Sequence, residues 1–221
     1  MSDLSLLLTI ATVHLIGLVS PGPDVALVVQ NVSRYGRSTG ILIALGLSIG
    51  ILSHSLLSVT GVSLIVQQHP LLFFILQISG GSYLCYLGFG ALRATISHWN
   101  REKPSSLFAD TPELTIRSPY DAFIRGLMTN LLNPKALVFF VSLMSSLIPV
   151  QTAWSTKSAA LLILWGLSFA WFSLLAFVLS TKRMQNQLAR IVRYIDGVCG
   201  VFFSLLGCGI VLRALLSISQ M

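Results

Sequence analysis

Long apolar runs separated by short basic stretches set the pattern of this chain. Six runs stand out: Leu4 to Val32, Gly40 to Val66, Leu71 to Leu92, Ala122 to Val150, Ser158 to Ser180 and Ile195 to Ser217. Crossing a bilayer takes about 20 apolar residues at ~1.5 Å rise each, and every run meets that length. Helix is the expected element, because a lone segment in lipid must satisfy its backbone hydrogen bonds internally. The stretch from Gly40 to Leu92 holds no Asp, Glu, Lys or Arg, and only Gln67, Gln68 and His69 mark a turn between two spans.

The connections alternate in charge. Arg34 and Arg37 separate runs one and two. Arg93, Arg101, Lys103, Arg117 and Arg125 fall between runs three and four, and Lys182, Arg183, Arg190 and Arg193 between five and six. Eleven of the 14 basic residues therefore lie on one side, against Lys157 and Arg213 on the other and Lys135 within a run. The positive-inside rule makes the Arg-rich side cytoplasmic and turns both termini outward.

Composition sharpens this picture. Only 10% of the 221 residues are charged and 54% are hydrophobic, against roughly 25% charged in a soluble domain. That leaves no room for a soluble catalytic domain, and no enzyme is expected. The net charge of +7 is topological rather than a nucleic-acid footprint. Cys85, Cys199 and Cys208 sit in apolar runs without a C-x-x-C pair, so they read as packing residues, not as a metal site or disulfide. The start Met1-Ser2-Asp3 lacks a basic region, so the first helix is expected to stay in the mature protein. The stretch Thr95 to Pro119, with three prolines, reads as a cytoplasmic loop. Lys182 to Tyr194 reads as a short interfacial helix.

An internal repeat organises the runs. Pro23 in run one and Pro134 in run four are 111 residues apart, each followed by a charge, Asp24 and Lys135. Gly81, Gly88 and Gly90 share their spacing with Gly200, Gly207 and Gly209 at an offset of 119. Two halves, 1–110 and 111–221, would each hold three spans, and an odd number inverts the second half in the membrane. The expected fold is all-α: a polytopic membrane protein of six transmembrane helices in two inverted three-helix repeats, with helices 1 and 4 broken.

Proline inside a helix removes a donor and clashes with the preceding turn, yet it starts a helix well. New helices should therefore begin near Pro23 and Pro134, with positive N-terminal ends inside the bilayer. Discontinuous helices at matched positions point to a transporter's binding site; plain structural kinks are the alternative. An intramembrane Asp or Lys costs about 2.5 to 3.5 kcal/mol on insertion scales, so such residues face a cavity or a partner. Asp24 and Lys135 could meet the ammonium and carboxylate of an amino acid, or pair with each other as a lock. Gly36 and Gly40, and Gly46 and Gly50, are small residues four apart that permit close helix approach, read here as packing within the subunit. Trp154, Trp165 and Trp171 could anchor span five at the interfaces or line the pathway.

These motifs together are similar to those of the LysE/RhtB family of bacterial amino-acid exporters. The resemblance rests on Ser20-Pro21-Gly22-Pro23-Asp24, the glycines at 36, 40, 46 and 50, Gly80-Gly81-Ser82-Tyr83-Leu84-Cys85, Gly126 through Ala136 with Asn130 and Asn133-Pro134-Lys135, and Ile195-Asp196-Gly197. The Asp after Pro-Gly-Pro and the Leu-Cys pair resemble the members that export threonine. The resemblance implies an inner-membrane exporter of a small neutral amino acid, threonine or homoserine foremost, driven by proton exchange and using no bound cofactor. Ser20, Pro21, Gly22, Pro23, Asp24, Asn130, Asn133, Pro134 and Lys135 become the substrate-binding candidates. Asp24 and His54 are the proton-coupling candidates. His54 and His14 belong to no family motif and suit packing in an apolar helix; Asp196 suits a helix cap or a local pair with Arg193. The implied partners are the amino acid, protons and the bilayer, with homo-oligomerisation open. The rival readings are export of a basic amino acid or another small metabolite, intramembrane redox carriage by paired cysteines, and a non-transporting scaffold. The glycine alignment sets Cys85 opposite Ser204, not opposite a cysteine, which counts against redox carriage.

Overall fold

The computed structural model describes residues 2–99, 116–149 and 151–218, and these form eight helices without a strand. They are α1 (Asp3–Val19), α2 (Pro23–Tyr35), α3 (Arg37–Gln68), α4 (Pro70–Trp99), α5 (Pro119–Leu131), α6 (Pro134–Leu147), α7 (Trp154–Val178) and α8 (Lys182–Ile218). α3, α4, α7 and α8 are each long and apolar enough to cross a membrane. α1 with α2 and α5 with α6 pass the same test as bent pairs, at 57° and 59°, which brings the spans to six. The chain is a polytopic helical membrane protein with its first and fourth spans broken, and bent pair, long helix, long helix occurs twice in order.

Local chemistry explains the helix starts. Ser2 caps α1 by accepting from the Ser5 amide at 3.3 Å, and Ser118 caps α5 by accepting from the Asp121 amide at 3.1 Å. Pro occupies the first helical position of α2, α5 and α6, where a missing N–H costs nothing. Between α2 and α3 the chain turns at Gly36 with φ 84°, the left-handed region open to glycine.

Glycines set the closest helix approaches. A Cβ on Gly46 would strike the Phe123 carbonyl oxygen of α5, and one on Gly126 would strike that of Ile43 on α3. Gly40 is wedged between Val32 and Ala176. Gly40, Gly46 and Gly50 thus pack helices within the subunit, whereas a Cβ on Gly36 would meet nothing within 4 Å, and that glycine serves the turn instead. α4 crosses α8 with Gly81 against Gly207 and Gly88 against Gly200. A shift of 119 residues turns Gly81 into Gly200 and Gly88 into Gly207, so it carries one of these contacts onto the other.

Ile43, Leu47, Leu84, Leu143 and Leu164 are fully buried in the core. Tyr86, Phe89, Leu162, Leu205 and Leu216 lie exposed on the outer faces, an apolar surface that suits lipid rather than water. Three sequence expectations change. α4 runs on to Trp99, because no Pro or Gly follows Gly90 before Pro104, so the loop cannot begin at Thr95. Lys182 to Tyr194 is the first third of α8 rather than a separate helix, since no Pro or Gly interrupts the chain there. Asp196 consequently lies inside α8 rather than at a helix start. The boundary at residues 110 and 111 is outside the described residues.

Candidate functional site

The two helix breaks face each other. At the first, the chain leaves α1 through Ser20, Pro21 and Gly22 in extended conformation and enters α2 at Pro23. At the second, Leu132 and Asn133 separate α5 from α6, and the Asn133 side-chain oxygen accepts from the Lys135 amide at 3.0 Å. A Pro at N1 therefore starts each second helix, and a charge occupies the next position, inside the first turn.

Each charge is held by the opposite break. The Asp24 carboxylate accepts from Asn130 Nδ2 at 2.7 Å and from Asn133 Nδ2 at 3.3 Å. The Lys135 ammonium donates to Ser20 Oγ at 2.7 Å and to the Pro21 carbonyl at 3.3 Å, and lies 5.5 Å from the centre of the Phe203 ring. The hydrogen bonds of Asp24 and Lys135 thus go to neutral groups, not to each other. Asn133 bridges the two: its oxygen caps α6 and its amide reaches Asp24.

A cavity of about 60 Å³ lies between the breaks. On that measure one water takes roughly 10–15 Å³, so the space admits a handful of water-sized groups. Ser20, Gly22, Asp24, Asn130, Asn133 and Lys135 form its polar wall. Its apolar wall includes Ile51, Phe139, Phe140 and Phe172.

Seven of the nine binding candidates meet here: the six that line the polar wall, and Pro21 through its carbonyl oxygen on Lys135. Pro23 and Pro134 are exposed at the helix starts and do not line the cavity. They shape the breaks. His54 stands behind the wall, its Nε2 donating to the Asn130 carbonyl at 3.1 Å and its ring stacked 6.4 Å from Phe140. The aromatic residues and His14 were not among the site candidates. Phe139 and Phe140 follow Lys135 at helical spacing, but Phe172 and His14 come from α7 and α1 and carry no sequence signal that joins them.

Two of the cysteines approach each other, which the glycine alignment does not foresee. Cys85 Sγ lies 3.6 Å from Cys208 Sγ across the α4–α8 crossing and 3.7 Å from the Ser204 carbonyl. Ser204 lies 119 residues after Cys85, the offset of the matched glycines, and Cys208 is one turn beyond it on α8, so close approach of α4 and α8 brings the sulfurs together. All three cysteines are free thiols. Trp165 stacks on Phe169 at 6.3 Å, Trp154 is exposed beneath Lys157, and Trp171 packs against the core. Among the described residues no cluster of three His, Cys, Asp or Glu could hold a metal ion.

Comparison with known proteins extends over nearly the whole chain. The threonine efflux protein of Escherichia coli (strain K12) is 28% identical over 209 residues, 95% of this chain and 98% of that protein. An uncharacterized membrane protein of Haemophilus influenzae is 30% identical over 207 residues, 93% and 96% of the two chains. The membrane protein YrhP of Bacillus subtilis (strain 168) is 26% identical over 194 residues, 85% and 91%. No solved structure matches. The profile of the LysE type translocator family matches residues 15–214, which takes in both breaks with Ser20, Asp24, Asn130, Asn133 and Lys135, and the chain belongs to that family.

Proposed function

We propose that this protein exports a small neutral amino acid, threonine or homoserine foremost, from the cytoplasm in exchange for protons, with residues 1–110 and 111–221 acting as inverted repeats in a bacterial inner membrane. The observation that carries the reading is the cavity between the two breaks, where an anion and a cation are each satisfied by neutral groups. A zwitterion entering there offers its ammonium to Asp24 and its carboxylate to Lys135, in exchange for hydrogen bonds that neutral side chains can release. The positive N-terminal ends of α2 and α6 add to the pull on the carboxylate. The name of the Escherichia coli relative supports threonine among neutral amino acids.

Proton coupling belongs to Asp24 in this reading, since a carboxylate in the membrane interior can be neutralised by a proton or by a bound ammonium, and the two compete. His54 acts through Asn130, whose carbonyl it caps and whose amide grips Asp24. In this reading both termini face the periplasm, an orientation that the basic connections support.

Counterflow in proteoliposomes with a panel of labelled amino acids tests the reading. Exchange of neutral hydroxylated and small amino acids, accelerated by a pH gradient, is expected. Exchange of lysine or arginine alone would replace it with basic amino-acid export. Redox carriage gains one observation, the approach of Cys85 to Cys208, and the same assay decides it. A variant with Cys85, Cys199 and Cys208 all changed to Ser should keep its counterflow; a folded, inserted variant without counterflow would favour the redox reading.

A further inference from the structure

His14 lies on α1, is 1% exposed, and lines the same cavity as Asp24 and Lys135. Its Nε2 is 3.2 Å from the Leu164 carbonyl and 2.8 Å from Ser168 Oγ on α7. A carbonyl only accepts, and the Ser168 hydroxyl donates its own proton to that carbonyl at 2.6 Å. Both contacts therefore require the proton on Nε2. The neutral ring is left with a bare acceptor at Nδ1, and that atom is buried with no hydrogen-bond partner. Asn130 differs: its Nδ2 is committed to Asp24, and its Oδ1, also buried without a donor, lies against Gly50 of α3.

The unpartnered acceptor of His14, on a residue lining the cavity, asks for a donor from outside the protein, because a buried polar atom left without a partner is destabilising. We infer that His14 Nδ1 accepts the side-chain hydroxyl of the exported amino acid and makes the site selective for hydroxylated over apolar side chains. Asp24 accepts the substrate ammonium. Lys135 takes the carboxylate, and Phe139, Phe140 and Phe172 enclose the carbon skeleton. The inference rests on the amino-acid export reading and names within it the residue that recognises the substrate side chain.

Threonine and valine make the discriminating pair, because they share a shape and differ in a hydroxyl for a methyl. A site built around a substrate hydroxyl rejects the analogue lacking it, since its own acceptor is then stranded. The test measures counterflow of threonine and valine by wild type, His14→Gln and His14→Asn at matched protein level. The Gln amide can reach Leu164 and Ser168 as Nε2 does but offers nothing at Nδ1. The Asn oxygen falls near Nδ1 but gives up the tie to α7. Wild type should favour threonine, His14→Gln should lower the threonine-to-valine ratio about tenfold, the scale of one hydrogen bond, and His14→Asn should retain part of the preference.

A ratio unchanged in His14→Gln would overturn the inference and leave His14 as a brace between α1 and α7. So would a wild type that carries valine as fast as threonine, an outcome that leaves amino-acid export standing. Absence of all amino-acid counterflow would instead remove the export reading, and the inference with it. If His14→Gln fails to insert, thermal unfolding of the purified wild type decides: stabilisation by threonine but not by valine supports the hydroxyl contact, and equal effects overturn it.

Discussion

The break at Pro23 and the break at Pro134 have nearly the same geometry and opposite chemistry. They bend their spans by 57° and 59°, and each starts its second helix with Pro at N1 and a charged residue next. One charge is a carboxylate and the other an ammonium. The caps differ as well: Asn133 uses its side chain to cap α6, whereas Gly22 leaves α2 without a side-chain cap. The two breaks supply similar helix ends, and the different residue after each Pro gives the cavity both signs. Because Asp24 is gripped from α5 and the α6 cap, and Lys135 from the α1–α2 break, neither half completes its own site.

The largest expected effect comes from removing that opposition. Asp24→Asn keeps the shape and some hydrogen bonding but loses the anion. Efflux across a pH gradient should fall about a hundredfold or more, the scale of the roughly 3 kcal/mol or more lost when a buried charge is stranded, while membrane insertion survives. The double variant Asp24→Asn with Lys135→Met separates two roles. If the charges served only to balance each other, removing both would restore much of the function. Since each is hydrogen-bonded to neutral groups rather than to the other, the double variant is expected to stay inactive. Efflux at the wild-type rate from Asp24→Asn alone would reduce both breaks to kinks.

The positions of both breaks are legible in the sequence, because Pro has few places in a transmembrane helix and Asp24 and Lys135 have no cheap ones. The glycines of α4 and α8 are legible as a matched set, but their spacing does not pair Gly81 with Gly207 or Gly88 with Gly200. Other features depend on which helix faces which. The spacing cannot tell that Lys135 reaches Ser20, that His14 meets α7, or that Cys208 comes beside Cys85, one turn away from the symmetric position. Helix ends fail differently. Basic and polar residues at Thr95 to Trp99 and Lys182 to Tyr194 suggest departure from the membrane, but a polar surface does not end a helix that no Pro or Gly interrupts.

The second effect in size tests the unequal caps. Asn133→Ala removes the oxygen that accepts from the Lys135 amide and the amide that reaches Asp24. Loss of an N-cap side chain costs about 1 kcal/mol, and a hydrogen bond to a charged group adds roughly 1.5 kcal/mol or more. The purified variant should unfold at a lower temperature than wild type, and its efflux should drop several-fold without being abolished. Unfolding at the wild-type temperature would mean that α6 needs no cap and that the two breaks are equivalent after all.

The smallest effect is expected at Gly22, although it stands inside the most distinctive motif of the chain. Its φ of −173° is extended backbone, open to any residue, so conformation alone does not demand glycine there. A Cβ built on it would meet Lys135 Nζ at 3.6 Å, an ordinary contact, and no other heavy atom of the protein outside its chain neighbours within 4 Å. Gly22→Ala should therefore leave the unfolding temperature close to that of wild type, in contrast to Asn133→Ala. The methyl group would still project into the cavity beside the ammonium, on the side where a substrate carboxylate is expected. Substrate affinity should weaken by a few-fold while the maximal rate changes less, so initial efflux rates across a range of internal amino-acid concentrations are the informative measurement. A sharp fall in unfolding temperature would show that glycine is required for the break itself, and the first break would then be held by its backbone and the second by its cap.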